Sequence, residues 1–321
     1  MKKCFLSISL VILVLSSCTK EDPLPGIRES MTLELIENIN ADSLQSYVSW
    51  MQDMGTRFCL ADNRRQVAVA IRNKFTSFGY TGARLDSFLL QRSYRGVYYS
   101  LWQYNVIARL EGSIYPDSVS VMGAHYDNIL GGTESDPFTA APGADDNASG
   151  VAAALEVARV MKKNGFCPEG SIEFIAFAAE ELGLHGSRNY AANASQTGMT
   201  IKMMLNNDMI AYEPSTDNKE WKVNILNYEN SLSLPYIASR LASKYTILTT
   251  YIDNRLNKYS DSYSFSQYGY PALFFFKDAE DPYYHSPEDV VENCNFIYCR
   301  EIVNINLAIL VEKNIYRASI Y

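Results

Sequence analysis

The 321-residue sequence predicts an α/β domain: a doubly wound, mostly parallel mixed sheet with helices on both faces, preceded by an N-terminal helical extension. Three observations carry this expectation. Short, nearly continuous apolar runs recur along the chain, as strands buried on both faces require. Stretches with helical patterning alternate with them. Histidines and carboxylates stand just past the ends of the apolar runs, where open α/β sheets form their ligand sites.

Residues 1–17 read as a secretory signal. Lys2 and Lys3 form the charged start, and the apolar run Phe5–Leu15 is shorter than the roughly 20 residues that span a bilayer. Leu15-Ser16-Ser17-Cys18 resembles the bacterial lipobox, which implies a lipid on Cys18. Residues 18–30 then read as the tether, with a polar, proline-containing stretch over Thr19–Gly26; Lys20-Glu21-Asp22 resembles the surface-export signal of some Gram-negative lipoproteins. The expected location is that of an exported bacterial lipoprotein, periplasmic or at the cell surface, meeting the membrane only through its anchor. A single domain is expected over residues 31–321.

Residues 30 to about 95 carry helical signals, with a cap region at Ala41-Asp42-Ser43 and a helix over Arg65–Phe78. Strands are expected at Ser118–Ala124, Ser171–Ala178, Ile201–Leu205, Val223–Leu226 and Ala272–Phe276. Helices are expected at Gly150–Lys163, Ser187–Ala194, Leu232–Lys244 and about Arg300–Tyr316.

A hydrophobic content of 47% excludes a disordered chain. The net charge is -8 with no basic block, so nucleic acid is not an expected partner. Beyond the signal and the lipobox, four cysteines remain: Cys59, Cys167, Cys294 and Cys299. An exported protein permits disulfides, and four cysteines allow three full pairings. No CxxC and no Cys–His zinc spacing occurs among them, so they read as structural.

The chain has three histidines. His125 closes the Val119–Ala124 run, and His285 follows Phe274-Phe275-Phe276 after a short acidic loop. Glu180 and Glu181 end another run, Asp208 ends a third, and Asp145-Asp146 precede the helix-starting Asn147-Ala148-Ser149-Gly150. A strand-end histidine is ordinarily structural, and an acidic pair before a helix is ordinarily a cap. Independent caps have no reason to gather at the same strand ends. Imidazole plus carboxylate without thiolate is the ligand set of a hydrolytic zinc site.

Five stretches carry a family resemblance: Gly123–Asp127 (GAHYD), Ala141–Gly150 (APGADDNASG), Ala178–Ser187 (AAEELGLHGS), Asn206–Met209 (NNDM) and Tyr284–Asp289 (YHSPED). In order and spacing they resemble the signatures of the M28 family of di-zinc aminopeptidases, leucyl aminopeptidases among them, from about residue 40 to the C-terminus. The resemblance implies two Zn2+ per chain. His125 and Asp208 would hold one, Glu181 and His285 the other, and Asp146 would bridge them. It makes Glu180 the general base and Asp127 a carboxylate that steadies His125. It also implies a cis bond between Asp146 and Asn147. The two glutamates can share a site only if the chain turns after them, which Gly183 permits. The implied reaction removes the N-terminal residue of peptides with a free N-terminus through a metal-bridging hydroxide.

Two departures stand out. Many relatives carry Ser-Asp-His where this chain has Ser260-Asp261-Ser262, and Asp261 is expected to cap a helix. His185 lies where the family varies and reads as loop structure or pocket rim. Met209, Phe274, Phe276, Tyr283 and Tyr284 are the expected substrate pocket, apolar and without a cation. Two other functions compete. One is a glutaminyl cyclase, a single-zinc acyltransferase on a related fold; the other is a non-catalytic binding scaffold, which should have lost ligands.

Overall fold

The computed structural model describes residues 25–132 and 135–315. Eight strands form one mixed sheet: β1 (Arg84–Tyr94), β2 (Val97–Leu110), β3 (Tyr115–His125), β4 (Gly170–Phe177), β5 (Thr200–Asn207), β6 (Lys222–Asn227), β7 (Thr249–Asp253) and β8 (Ala272–Lys277). Their spatial order is β1-β2-β4-β3-β5-β8-β6-β7. The central four, β4-β3-β5-β8, run parallel; β2 joins them antiparallel at one side and β6 at the other.

The parallel strands are covered on both faces. Met122 and Ala124 of β3 and Phe174 and Ala176 of β4 face one core, with α4 (Gly150–Lys163) and α8 (Phe296–Asn314). Val119, Val121, Ile175 and Phe177 alternate onto the other, with α5 (His185–Gln196) and α7 (Ser262–Gln267). The period of two explains why both sets of residues are apolar. α8 is buried almost all round, which is why its sequence lacks a polar face. α6 (Leu234–Tyr245) packs beside it. No helix among the described residues is long and apolar enough to cross a membrane.

The N-terminal extension is helical, with corrected limits. α1 (Pro25–Glu37) begins inside the expected tether, and it buries Leu35. α2 (Ala41–Gln52) is capped one residue earlier than expected, by Asn40, whose side chain accepts the amides of Asp42 and Ser43. It buries Leu44, Tyr47, Val48 and Met51 on one stripe. α3 (Arg64–Ser77) ends the helical region. From Arg84 the chain forms the β1–β2 hairpin, where helical signals were expected to continue. Much of that hairpin faces solvent, so its strands alternate polar and apolar residues and lack the continuous apolar runs of the buried ones. β7 was missed for the same reason. Cys18 lies outside the described residues. Cys59, Cys294 and Cys299 are free thiols, so the four cysteines are not fully paired among themselves.

Candidate metal centre

β3 ends on His125, and Asp208 directly follows β5. Glu180 and Glu181 follow β4, His285 lies in the loop after β8, and Asp146 sits in the turn Ala144–Ser149 that opens α4. Parallel strands converge these segments on one sheet edge. His125 Nε2 stands 3.3 Å from Asp146 Oδ1 and 3.4 Å from Asp208 Oδ1. His285 Nε2 stands 3.1 Å from Asp146 Oδ2 and 3.0 Å from Glu181 Oε2. Asp146 therefore turns one oxygen to each histidine. Each set of three donors fits within 4.8 Å. A tetrahedral ion with bonds near 2.0 Å separates its ligand atoms by about 3.3 Å, so both sets match a zinc-sized cation.

The polar bookkeeping agrees. Glu181 Oε1 is buried and makes no hydrogen bond, a costly state without a cation. Burial opposes charge on His285, but the carboxylates of Asp146 and Glu181 push it up to about 10. Burial, then the charge of Asp146, pushes Glu181 up to about 7. Burial and the neighbouring Glu181, Asp261 and Asp208 carboxylates raise Glu180 well above the usual range, although His125 opposes them. Four carboxylates this close need cations to stay ionised together.

The backbone is arranged around this need. Ala179 takes φ +59°, and the amides of Gly183 and Leu184 both donate to Glu180 O, so the chain turns under the two glutamates. Asp146–Asn147 is cis. The Asn147 side chain accepts the amides of Gly150 and Met209 and donates to Asn207 O, tying the turn to β5. Asp208 Oδ2 accepts the Ser260 hydroxyl at 2.5 Å. Asp127 departs from its expected part: His125 Nδ1 meets the Asp127 carbonyl at 3.0 Å, while the nearer carboxylate oxygen is 3.8 Å away. Its side chain instead accepts the amides of Glu180 and Glu181.

Residues 105–310, more than half of the chain, match the model of peptidase family M28. The chain belongs to that family. A probable leucine aminopeptidase 1 of Trichophyton verrucosum is 28% identical over 295 residues, which cover 87% of this chain and 75% of the relative. Among solved structures, a zinc aminopeptidase from Bacillus subtilis shares the fold with a TM-score of 0.71 at 17% identity, covering 86% of this chain and 95% of its own. A glutaminyl cyclase from Fimbriiglobus ruber matches with a TM-score of 0.68 at 17% identity, over 85% of this chain and 95% of its own.

Beside the donors the peptidase has a cleft of about 820 Å³. Its floor is one face of β8, β6 and β7: Phe274 pairs with Leu226 and Phe276 with Asn224, and Leu226 pairs in turn with Asp253. Met209, Phe274, Phe276 and Tyr284 line it as expected, with Leu226 and Leu256 added. The Tyr284 ring stacks on His285 at 3.8 Å. Tyr283 does not line the cleft; the turn after Asp281 sends its ring edge-on against Tyr212. Nor is the lining free of cations. Arg255 lies there, bound to Asp253 at 2.6 Å, and so does Lys277, bound to Asp145 and Asp281.

Two further expectations change. Asp261 occupies the position before α7 but makes no capping hydrogen bond; it is fully buried, which pushes it up to about 7. His185 is outside the cleft lining; it opens α5, and its ring contacts Leu182 O in the preceding turn. Arg57 and Asp289 are both buried behind the turn that carries Asp146; Arg57 gave no motif signal, and Asp289 closes the Tyr284–Asp289 stretch without having been assigned a role.

Proposed function

We propose that this peptidase is a di-zinc aminopeptidase that removes the N-terminal residue of peptides with a free N-terminus. The observation that carries the reading is the division of Asp146, one oxygen toward the His125–Asp208 pair and the other toward Glu181–His285. His125, Asp208 and Asp146 would hold one zinc, and Glu181, His285 and Asp146 the other. Two such ions would supply Lewis-acid polarisation of the scissile carbonyl and would lower the proton affinity of a bound water.

The chain's own residues supply the rest. Glu180 takes the proton of the attacking water and delivers it to the departing amine. Asp127 keeps the Glu180–Glu181 turn in place through their amides. Tyr284, packed on His285 and facing the carboxylates, closes one side of the reacting centre. Phe274, Phe276, Leu226 and Met209 receive the side chain of the residue being released.

The test is hydrolysis of aminoacyl-p-nitroanilides with and without chelator, alongside zinc counted per chain. Two zinc ions and chelator-sensitive hydrolysis support the reading. One zinc with cyclisation of N-terminal glutamine would favour the glutaminyl cyclase alternative, and neither activity would leave a binding scaffold. We further propose that Cys18 carries a lipid and tethers the enzyme outside the cytoplasm. Metabolic labelling with a fatty acid should mark the wild type and not Cys18→Ala.

A further inference from the structure

The turn that delivers Asp146 is gripped from both sides by two residues outside the donor sets. Arg57 is fully buried and meets no carboxylate within ion-pair distance among the described residues; its guanidinium donates to four carbonyls. Two of these, Pro142 O at 2.8 Å and Gly143 O at 2.7 Å, enter the turn. A third, Tyr126 O at 2.9 Å, lies between His125 and Asp127. The Arg57 amide donates to Asn128 Oδ1 at 3.0 Å, and the Asn128 side chain donates to Ala141 O.

Asp289 grips the amides that follow. Its Oδ1 accepts Asp145 N at 2.7 Å, its Oδ2 accepts Asp146 N at 3.0 Å, and its carbonyl accepts Ala144 N at 3.0 Å. Arg57 thus takes the carbonyls of Pro142 and Gly143, and Asp289 takes the next three amides, one with its carbonyl and two with its carboxylate. The fit is tight: a Cβ on Gly143, which has φ +52°, would meet Asp146 O at 2.4 Å and Arg57 Nη2 at 2.9 Å. Asp289 also lies four residues after His285, so the loop that brings one histidine to the centre also fixes the carboxylate shared with the other.

We propose that Arg57 and Asp289 are a positioning pair that sets the placement of Asp146 between the two histidines, and through it the affinity of both metal sites. A planar five-donor guanidinium suits several carbonyls at once, which an ammonium cannot match. A carboxylate spanning two adjacent amides offers only acceptors, which an amide side chain cannot match. Such outer contacts typically tune metal affinity about 10–100-fold.

The proposal rests on the zinc reading above, and the test keeps the two apart. Zinc affinity is measured by competition with a chromophoric chelator in wild type, Asp289→Asn, Arg57→Lys and the double variant. Thermal unfolding of the metal-free proteins runs in parallel. Glu156→Gln, which weakens the partly buried ion pair of Glu156 with Arg159 away from the centre, is the control for stability loss alone. The expected result is a zinc dissociation constant raised about 10–100-fold in each single variant. The double variant should lose less than the product of the two, because both act on one turn. At saturating zinc, kcat should fall while KM moves little. If Arg57→Lys does not fold, Asp289→Asn decides alone. Wild-type zinc affinity in a folded Asp289→Asn, or an equal affinity loss in Glu156→Gln, overturns the proposal. Absence of zinc binding by the wild type would instead sink the reading beneath it.

Discussion

The carboxylate of Asp127 accepts the amide of Glu180 at 3.0 Å, while the main-chain carbonyl of Asp127 holds the His125 imidazole, also at 3.0 Å. One residue thus orients a proposed metal donor with its backbone and the proposed base with its side chain. Asp127→Asn should separate these effects. The carbonyl contact survives, so zinc affinity should stay near wild type. The amide group cannot accept both N–H bonds, so Glu180 loses its placement and kcat should fall roughly tenfold or more. A variant that lost zinc with kcat intact at saturating metal would return Asp127 to the role of a histidine carboxylate.

Glu180 and Glu181 are adjacent yet should differ in phenotype. Glu180→Gln should keep two zinc ions and lose roughly 100-fold or more in kcat, since only the proton carrier is removed. Glu181→Gln should weaken the site shared with His285, to which Glu181 stands 3.0 Å away. Equal metal loss in the two variants, read by metal analysis after dialysis, would contradict these assignments.

The five positions that the structure gathers into two candidate donor sets were legible because chemistry restricts residue type: His125, Asp146, Glu181, Asp208 and His285 were each marked by a short motif at a strand or helix end. The covered strands were legible through their apolar runs. β1 and β2 were not, because Leu89 and its cross-strand partner Trp102 face solvent and break the pattern of a buried strand. Arg57 was not, because its partners are backbone carbonyls, which leave no trace in the sequence; Asp289 stood in a quoted motif, but the main-chain amides its carboxylate accepts were equally unmarked. The same holds for Asp127, whose sequence position beside His125 hid the destination of its side chain.

Metal uptake should release protons. His285, pushed up to about 10 without metal, must shed its proton to bind zinc. Apparent affinity should therefore rise steadily from pH 6 to pH 9, with proton release measurable by titration calorimetry in buffers of different ionisation enthalpy. The metal-free fold should respond in the opposite sense. A histidine raised from 6.5 to about 10 stabilises it fully below pH 6.5 and loses that contribution as pH climbs toward 10. A zinc affinity independent of pH over this range would rule the protonated histidine out.

The free cysteines should be dispensable. Cys59 and Cys299 are buried, and burial raises both thiols, which suppresses the reactive thiolate. Cys59→Ser should lower the unfolding temperature, because a hydroxyl buried there costs about 1–3 kcal/mol without partners. Its folded fraction should turn over normally. Inactivation by a thiol reagent without unfolding or metal loss would disprove this.

The cleft floor leads to a prediction about which residue is released. Next to the centre it is apolar, with Met209, Phe274, Phe276 and Leu226. Each buried methylene is worth about 0.8 kcal/mol, so three extra carbons should favour Leu over Ala by about 2.4 kcal/mol, roughly fiftyfold in kcat/KM. Two strands farther out the floor turns polar at Asp253, which Arg255 neutralises in the wild type and holds at about 2. The pair is exposed and its net strength small, so it should discriminate weakly among charged side chains. Removing Arg255 leaves the Asp253 carboxylate unpaired at the cleft edge. Arg255→Ala should then raise kcat/KM for lysyl- and arginyl-p-nitroanilide relative to leucyl-p-nitroanilide, and lower it for the glutamyl substrate. The Leu-to-Ala ratio should not change, because the apolar floor is untouched. If that ratio moved and the Lys-to-Leu ratio stayed fixed, the released side chain would not lie along this floor.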